Sequence, residues 1–374
     1  MGKWKTCTLS TLGNIVGGAT PSTKNPQNYE GGTIPWITPK DLSGFSGRYI
    51  SRGERNITEV GLNSCSAQMI PKHSILFSSR APIGYVAISA CEVCTNQGFK
   101  SIVPNEDTDY LFLYYLLKYK KNDIENMGSG TTFKEISGNT MKSIEAYVPI
   151  EKTEQIAIAK ILSSLDDKIE LNNRINDNLE QQIITIFDKL FSDLIIDKSL
   201  FVPMGEIADF KYGTMPKKDK IQETGYPIFS GYKIVGYYPE KMFENPQLII
   251  VARGVGGCGD VKFTPKDCYL TNLSIAIIPS DLRHELYMFY YLKQQDMKIL
   301  NTGSAQPQIT ISSLANYNIP IPNIEDIETF NSFAVPFVEM VRKNEIEIKQ
   351  LSNLRDFLLP RLMSGEIDIS DIHL

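Results

Sequence analysis

Ile75-Leu76-Phe77-Ser78-Ser79-Arg80 and Leu248-Ile249-Ile250-Val251-Ala252-Arg253 are one pattern written twice, an apolar run that ends on an arginine. Each arginine leads into a glycine-bearing turn, a Val-containing strand and then Thr-Asn, at Thr95-Asn96 and Thr271-Asn272. Working outward, Leu12-Gly13-Asn14-Ile15 returns as Met204-Gly205-Glu206-Ile207, and Gly18-Ala19-Thr20-Pro21 as Gly213-Thr214-Met215-Pro216. Ile34-Pro35-Trp36-Ile37 echoes as Tyr226-Pro227-Ile228-Phe229. Gly128-Ser129 pairs with Gly303-Ser304, and Tyr147-Val148-Pro149-Ile150 with Asn318-Ile319-Pro320-Ile321. No single match carries the repeat; their shared order over roughly 170 residues does.

The repeated blocks are β-rich, with short Val/Ile/Phe/Tyr runs between Gly, Pro and Asn turns. Each has one helical segment, Tyr110–Lys121 and Leu282–Met297. Beyond each block the periodicity changes. Ile158, Leu162, Leu165, Ile169, Leu179, Ile183, Ile186 and Leu190 step by four and three, skipping Asn172 and Asn176. The second ladder reads Phe330, Ala334, Phe337, Val341, Asn344, Ile348, Leu351, Arg355, Leu358 and Leu362. Both predict long heptad helices, at about 155–192 and 328–363, able to share one antiparallel coiled-coil seam. Asn172, Asn176 and Asn344 are its candidate register residues, since a buried asparagine costs stability but fixes alignment. Pro336 is expected to start or kink the second helix early. Such a helix spans roughly 50–60 Å and suits a spacer. The expected fold is α+β, with boundaries at 1–150, 151–195, 196–322 and 323–374.

A chain of 374 residues predicts two or three domains. Its net charge of −5 is unevenly placed: +3 over 1–150, −4 over 151–199, +1 over 200–322 and −5 over 323–374. A polyanion should therefore meet the two repeated blocks, and the acidic helices suit protein partners. No run of apolar residues is long enough for a membrane helix. The start, MGKWKTCTLS, lacks the apolar core of a secretory signal, and its Gly2 and Thr6 fit a myristoylation pattern short enough to arise by chance. A cytoplasmic location is expected, with the six cysteines as reduced thiols. The Cys91–Cys94 pair has no second pair at zinc-site spacing. His73, His284 and His373 sit in no catalytic or metal spacing, so no metal or cofactor is expected.

Two globular heads on one rigid spacer form a device for reading two half-sites on duplex DNA. The chain resembles the specificity (S) subunits of type I restriction–modification systems over essentially its whole length. The carrying segments are Thr33–Asp41, Ser79–Val86, Cys94–Phe99, Gln155 leading into Leu165-Asp166-Asp167-Lys168-Ile169, and Leu358–Ile367. The resemblance implies a non-catalytic subunit whose two target-recognition domains read a bipartite, asymmetric sequence of double-stranded DNA. It also implies that the paired helices dock two methyltransferase subunits, and that restriction/translocase subunits join through the complex.

Candidate DNA contacts come from the repeat and from side-chain chemistry. Arg80 and Arg253 can fork onto guanine O6/N7 or clamp a phosphate; the alternative is an arginine paired with an internal carboxylate. In the loops at 128–134 and 303–308, Thr131, Thr132 and Lys134 offer hydroxyls and a charge, and Gln306 and Gln308 offer amides suited to adenine. Lys40, Lys100, Tyr232 and Lys233 are candidates for phosphate contacts. One rival is a self-contained adenine methyltransferase. Against it, Asn25-Pro26-Gln27 and Asn245-Pro246-Gln247 lack the second proline and aromatic of that motif, and the glycine run at 254–259 leads into a strand-like segment. The other rival is a coiled-coil scaffold that never meets DNA.

Overall fold

The computed structural model describes residues 3–128, 134–197, 200–254, 257–302 and 307–369. The chain forms two compact units, Met1–Asn173 with Glu345–Leu374, and Arg174–Asn344. A central helix (Lys152–Ile196) and a C-terminal helix (Ile324–Met363) each give one part to either unit. The architecture is α+β.

In unit one the strands are β1 (Trp4–Thr8), β2 (Gly13–Gly17), β3 (Ile34–Ile37), β4 (Tyr49–Ile50), β5 (Arg55–Ile57), β6 (Ile75–Phe77), β7 (Val86–Ser89), β8 (Cys94–Thr95), β9 (Lys100–Pro104) and β10 (Glu145–Pro149). They build a five-stranded sheet in the order β2-β9-β6-β7-β4, a three-stranded sheet β5-β3-β8, and the pair β1-β10. Ile75, Leu76 and Phe77 are wholly buried, as a central strand covered on both faces requires. The head helix Tyr110–Tyr119 packs on this sheet, its N-terminus capped by Asp109, whose carboxylate accepts the Phe112 N–H at 2.8 Å. Gln155, at the start of the central helix, accepts the Asp109 N–H at 2.9 Å and so fixes the head helix to the central helix. The Trp4 indole donates to Glu154 at 3.0 Å and lies over Gly365, whose φ of +74° turns the chain back after the C-terminal helix. Trp36, in β3, donates its indole N–H to the Ala19 carbonyl.

Unit two repeats this plan with β11 (Phe201–Pro203), β12 (Ala208–Tyr212), β13 (Tyr226–Phe229), β14 (Ile234–Tyr238), β15 (Leu248–Val251), β16 (Val261–Phe263), β17 (Tyr269–Leu270), β18 (Ser274–Pro279) and β19 (Asn318–Pro320). Its sheets run β12-β18-β15-β16, β14-β13-β17 and β11-β19. β15, like β6, is buried throughout. The parallel pair β13-β17 answers the parallel pair β3-β8, and β4 has no counterpart among the described residues. The second head helix is Glu285–Gln294. Gly18 and Gly213 occupy the same place: a Cβ would fall 2.2 Å from the Thr95 carbonyl oxygen in one head and 2.0 Å from that of Thr271 in the other. Only glycine permits so close an approach.

Both helices are longer than their heptads predict, and the C-terminal one runs on through Pro336 rather than starting there. Pro336 and Ser332 are exposed, so water can serve the Ser332 carbonyl that loses its helical donor. In unit one the helix segments meet through Asp166–Arg355 and Asn172–Glu347; in unit two they meet through Asn176–Asn344 and Phe187–Phe330. In each unit, rising numbers on one helix face falling numbers on the other, so the segments are antiparallel. Asn344 donates to Asn176 at 2.8 Å, whereas the buried Asn172 donates to Glu347 at 2.8 Å. All six cysteines are free thiols, and burial pushes that of Cys94 up to about 12.

Candidate nucleic-acid interface

The arginines that end β6 and β15 occupy matching junctions. Ser79 donates its N–H to the Gly98 carbonyl at 2.7 Å, and its own carbonyl accepts from Ile136 at 2.8 Å. In unit two, Ala252 donates to Leu273 at 2.8 Å and accepts from Ile309 at 2.9 Å. One residue further on, Arg80 bridges Glu135 and Arg253 bridges Gln308, both as isolated antiparallel contacts. The segment after each polar loop is thus laid beside the arginine by backbone hydrogen bonds.

The side chains at these junctions differ. The Arg80 Nε lies 3.0 Å from Glu135 Oε2, and the Lys100 Nζ 3.7 Å from Glu135 Oε1. Arg80 and Glu135 are each about two-fifths exposed, and Lys100 is mostly covered. Arg253 has no carboxylate partner among the described residues, and its Nε is buried without a hydrogen bond. Its carbonyl accepts from the Tyr232 hydroxyl at 2.8 Å. The Tyr232 side chain fills the space over Gly254 and Gly257, where a Cβ would come within 2.4 Å of its hydroxyl oxygen and 2.3 Å of its ring. Burial raises the Tyr232 hydroxyl above its ordinary pKa, and the Lys262 ammonium stands 5.7 Å from the ring centre. Lys233 is exposed on the same turn, held by Ser230, which donates to its carbonyl at 3.0 Å.

Gln308 closes the second junction: its N–H donates to Asn301 Oδ1 at 2.7 Å and its carbonyl accepts from Thr302 at 2.9 Å. Lys134 is exposed next to Glu135. Lys40 lies in the turn Pro39–Leu42, where Glu54 binds its ammonium at 2.7 Å and raises its pKa. Thr131, Thr132 and Gln306 lie outside the described residues. The glycine run at 254–259 leads into β16, so it offers no helix N-terminus to a phosphate. Among the described residues no His/Cys/Asp/Glu group is placed to hold a metal, and no helix is long and apolar enough to cross a membrane.

Arg80, Arg253, Lys100 and Gln308 meet at the junctions, but Glu135 was missed. It stands as far down the chain from Arg80 as Gln308 does from Arg253, and that shared spacing was the available clue. A second missed residue is Arg48. It is buried in unit one, where it pairs with Asp167 and, at 2.8 Å, with Glu170 of the central helix.

A family model described as the type I restriction modification DNA specificity domain matches residues 1–181 and 197–350. The chain is 32% identical over 413 aligned positions to the type I restriction enzyme MjaIX specificity subunit of Methanocaldococcus jannaschii, covering 99% of this chain and 94% of that one. The EcoR124I/EcoR124II specificity subunit of Escherichia coli is 29% identical over 187 positions, covering 48% of this chain and 44% of its own length. The crystal structure of a type I S subunit from M. genitalium superposes with a TM-score of 0.70 at 20% identity, covering 97% of this chain and 96% of that one.

Proposed function

Because the chain belongs to the type I restriction–modification DNA specificity family, we propose that it reads a bipartite, asymmetric site on double-stranded DNA, one half with each head. Its class is that of the type I specificity subunit, the non-catalytic recognition component. Residues 1–150 and 196–322 serve as target-recognition domains, and 151–195 and 323–374 as the spacer. The observation that carries this reading is the pair of matching junctions at Arg80 and Arg253. Two related but chemically distinct reading heads on one chain suit two unlike half-sites.

The helices dock two methyltransferase subunits, and restriction/translocase subunits join through that complex. Two features support this role. The helical blocks are acidic while the heads are slightly basic. The C-terminal helix also exposes large apolar side chains, Phe333 and Met340 in unit two and Leu354 and Phe357 in unit one, which a soluble surface seldom leaves uncovered in groups.

The test is a map of methylated adenines in a host producing this chain with its methyltransferase subunits. Exchanging residues 200–322 for the matching domain of a relative should change one half of the methylated sequence and leave the other intact. Arg253→Ala should relax only that same half, by about 1–3 kcal/mol if the contact is bidentate to a base. Changes in both halves would contradict one head per half-site.

A further inference from the structure

The repeat sets two different residues at one position, and the difference concerns charge. Glu135 occupies in unit one the place that Gln308 occupies in unit two, each bridged to the arginine of its junction. The strand ladders extend the comparison. Lys100 pairs with Gly17 just before Gly18, and Ile275 pairs with Tyr212 just before Gly213, so the counterpart of Lys100 is a buried isoleucine. Unit one therefore has two cations held by one carboxylate, whereas in unit two the residue at the Glu135 position, Gln308, is neutral and Lys100 is replaced by an isoleucine.

We infer that Glu135 is a built-in competitor for the anion that Arg80 and Lys100 bind. This inference rests on the proposal above that the heads meet DNA. Without DNA, the carboxylate occupies the donor face that a phosphate or a base edge needs. It also cancels one cation, which removes roughly one counterion from those released when DNA binds. The pair is partly exposed, so it is held weakly enough to be exchanged for a stronger anion. Arg253 has no such competitor among the described residues. Binding of an anion by the first head accordingly requires this internal ion pair to open, and Glu135 sets the threshold for that step.

The experiment measures fluorescence anisotropy of the full chain with a fluorescein-labelled, mixed-sequence DNA duplex across a salt series. Glu135→Gln should tighten binding by about three- to tenfold and steepen the slope of log K against log salt by about one. Gln308→Glu should weaken binding by a similar factor and flatten that slope. In an Arg80→Ala, Lys100→Ala background, Glu135→Gln should change nothing, whereas a general charge effect would persist there. If Glu135→Gln leaves affinity unchanged while Arg253→Ala weakens it, the competitor is overturned and DNA reading stands. If neither Arg80→Ala nor Arg253→Ala alters binding by a folded chain, the DNA-reading proposal falls and this inference with it. Absence of binding by both the native chain and Glu135→Gln overturns both.

Discussion

Around Asp166 in unit one, the Tyr115 hydroxyl at 2.6 Å and the Arg355 guanidinium at 2.7 Å converge on one carboxylate, and Arg48 reaches Asp167 and Glu170 nearby. Around Phe187 in unit two, Phe191, Tyr287 and Phe330 stand with ring centres 5.1 to 5.7 Å away, and all four rings are fully buried. The head helices share a tyrosine at the matching place, since Tyr290 also donates to a carboxylate of the central helix, Glu180, at 3.0 Å. The contacts that surround that tyrosine have diverged. The repeat preserves strand order and backbone contacts, while the chemistry that seats each head on its helices is free to change. A charged seat is directional and costs desolvation; an aromatic one is less directional and gains from buried area.

The largest effect should come from the aromatic seat. Phe187→Ala should destabilise unit two by about 3–5 kcal/mol, because it leaves a cavity in a packed core. Hydrogen exchange should show loss of protection at residues 285–294 and 324–334, with unit one unaffected. Loss of protection in both units would mean that they unfold as one.

A smaller loss should come from the charged seat. Asp166→Ala strands the Tyr115 hydroxyl and leaves Arg355 with only the exposed Asp356, at a cost of about 1.5–3 kcal/mol. Asp166→Asn retains an acceptor for Tyr115 and should recover part of the loss, read from urea midpoints. If both variants cost the same, the negative charge is the whole contribution and the tyrosine bond adds nothing.

The two seats explain what the sequence disclosed and what it concealed. β6 and β15 were legible because a strand buried on both faces needs an unbroken apolar run. The helices were legible because their apolar positions recur at heptad spacing. Arg48 was not, since a lone arginine just after the glycine-containing loop Gly44–Gly47 looks solvated until its carboxylates arrive from more than a hundred positions away. Glu135 was concealed for the same reason: its partners Arg80 and Lys100 are remote in sequence, and composition alone cannot pair them. The heptads placed Asn172 and Asn344 on the same step, yet the partners of the two differ because antiparallel helices offset facing residues.

That last contrast gives the smallest expected effect. In unit two, replacing both Asn176 and Asn344 with Leu removes a hydrogen-bonded amide pair from the seam and should stabilise by about 1 kcal/mol. In unit one, Asn172→Leu takes a donor from Glu347, which keeps only Lys168 at 3.6 Å, and should destabilise slightly. Calorimetric midpoints moving in opposite directions would sharpen the comparison, and shifts of one sign would break it.

The chain contains two tryptophans, Trp4 and Trp36, and both belong to unit one. Light at the red edge of aromatic absorption excites indole alone, so the emission of this protein reports one half of the molecule. Trp4 senses the carboxylate of Glu154 and the turn at Gly365, and Trp36, nearly buried, senses the interior of the first head. The tyrosines and phenylalanines of unit two are dark under that excitation. Indole emission tracked beside far-ultraviolet circular dichroism therefore separates the unfolding of the two halves in the native sequence, without a label or a substitution.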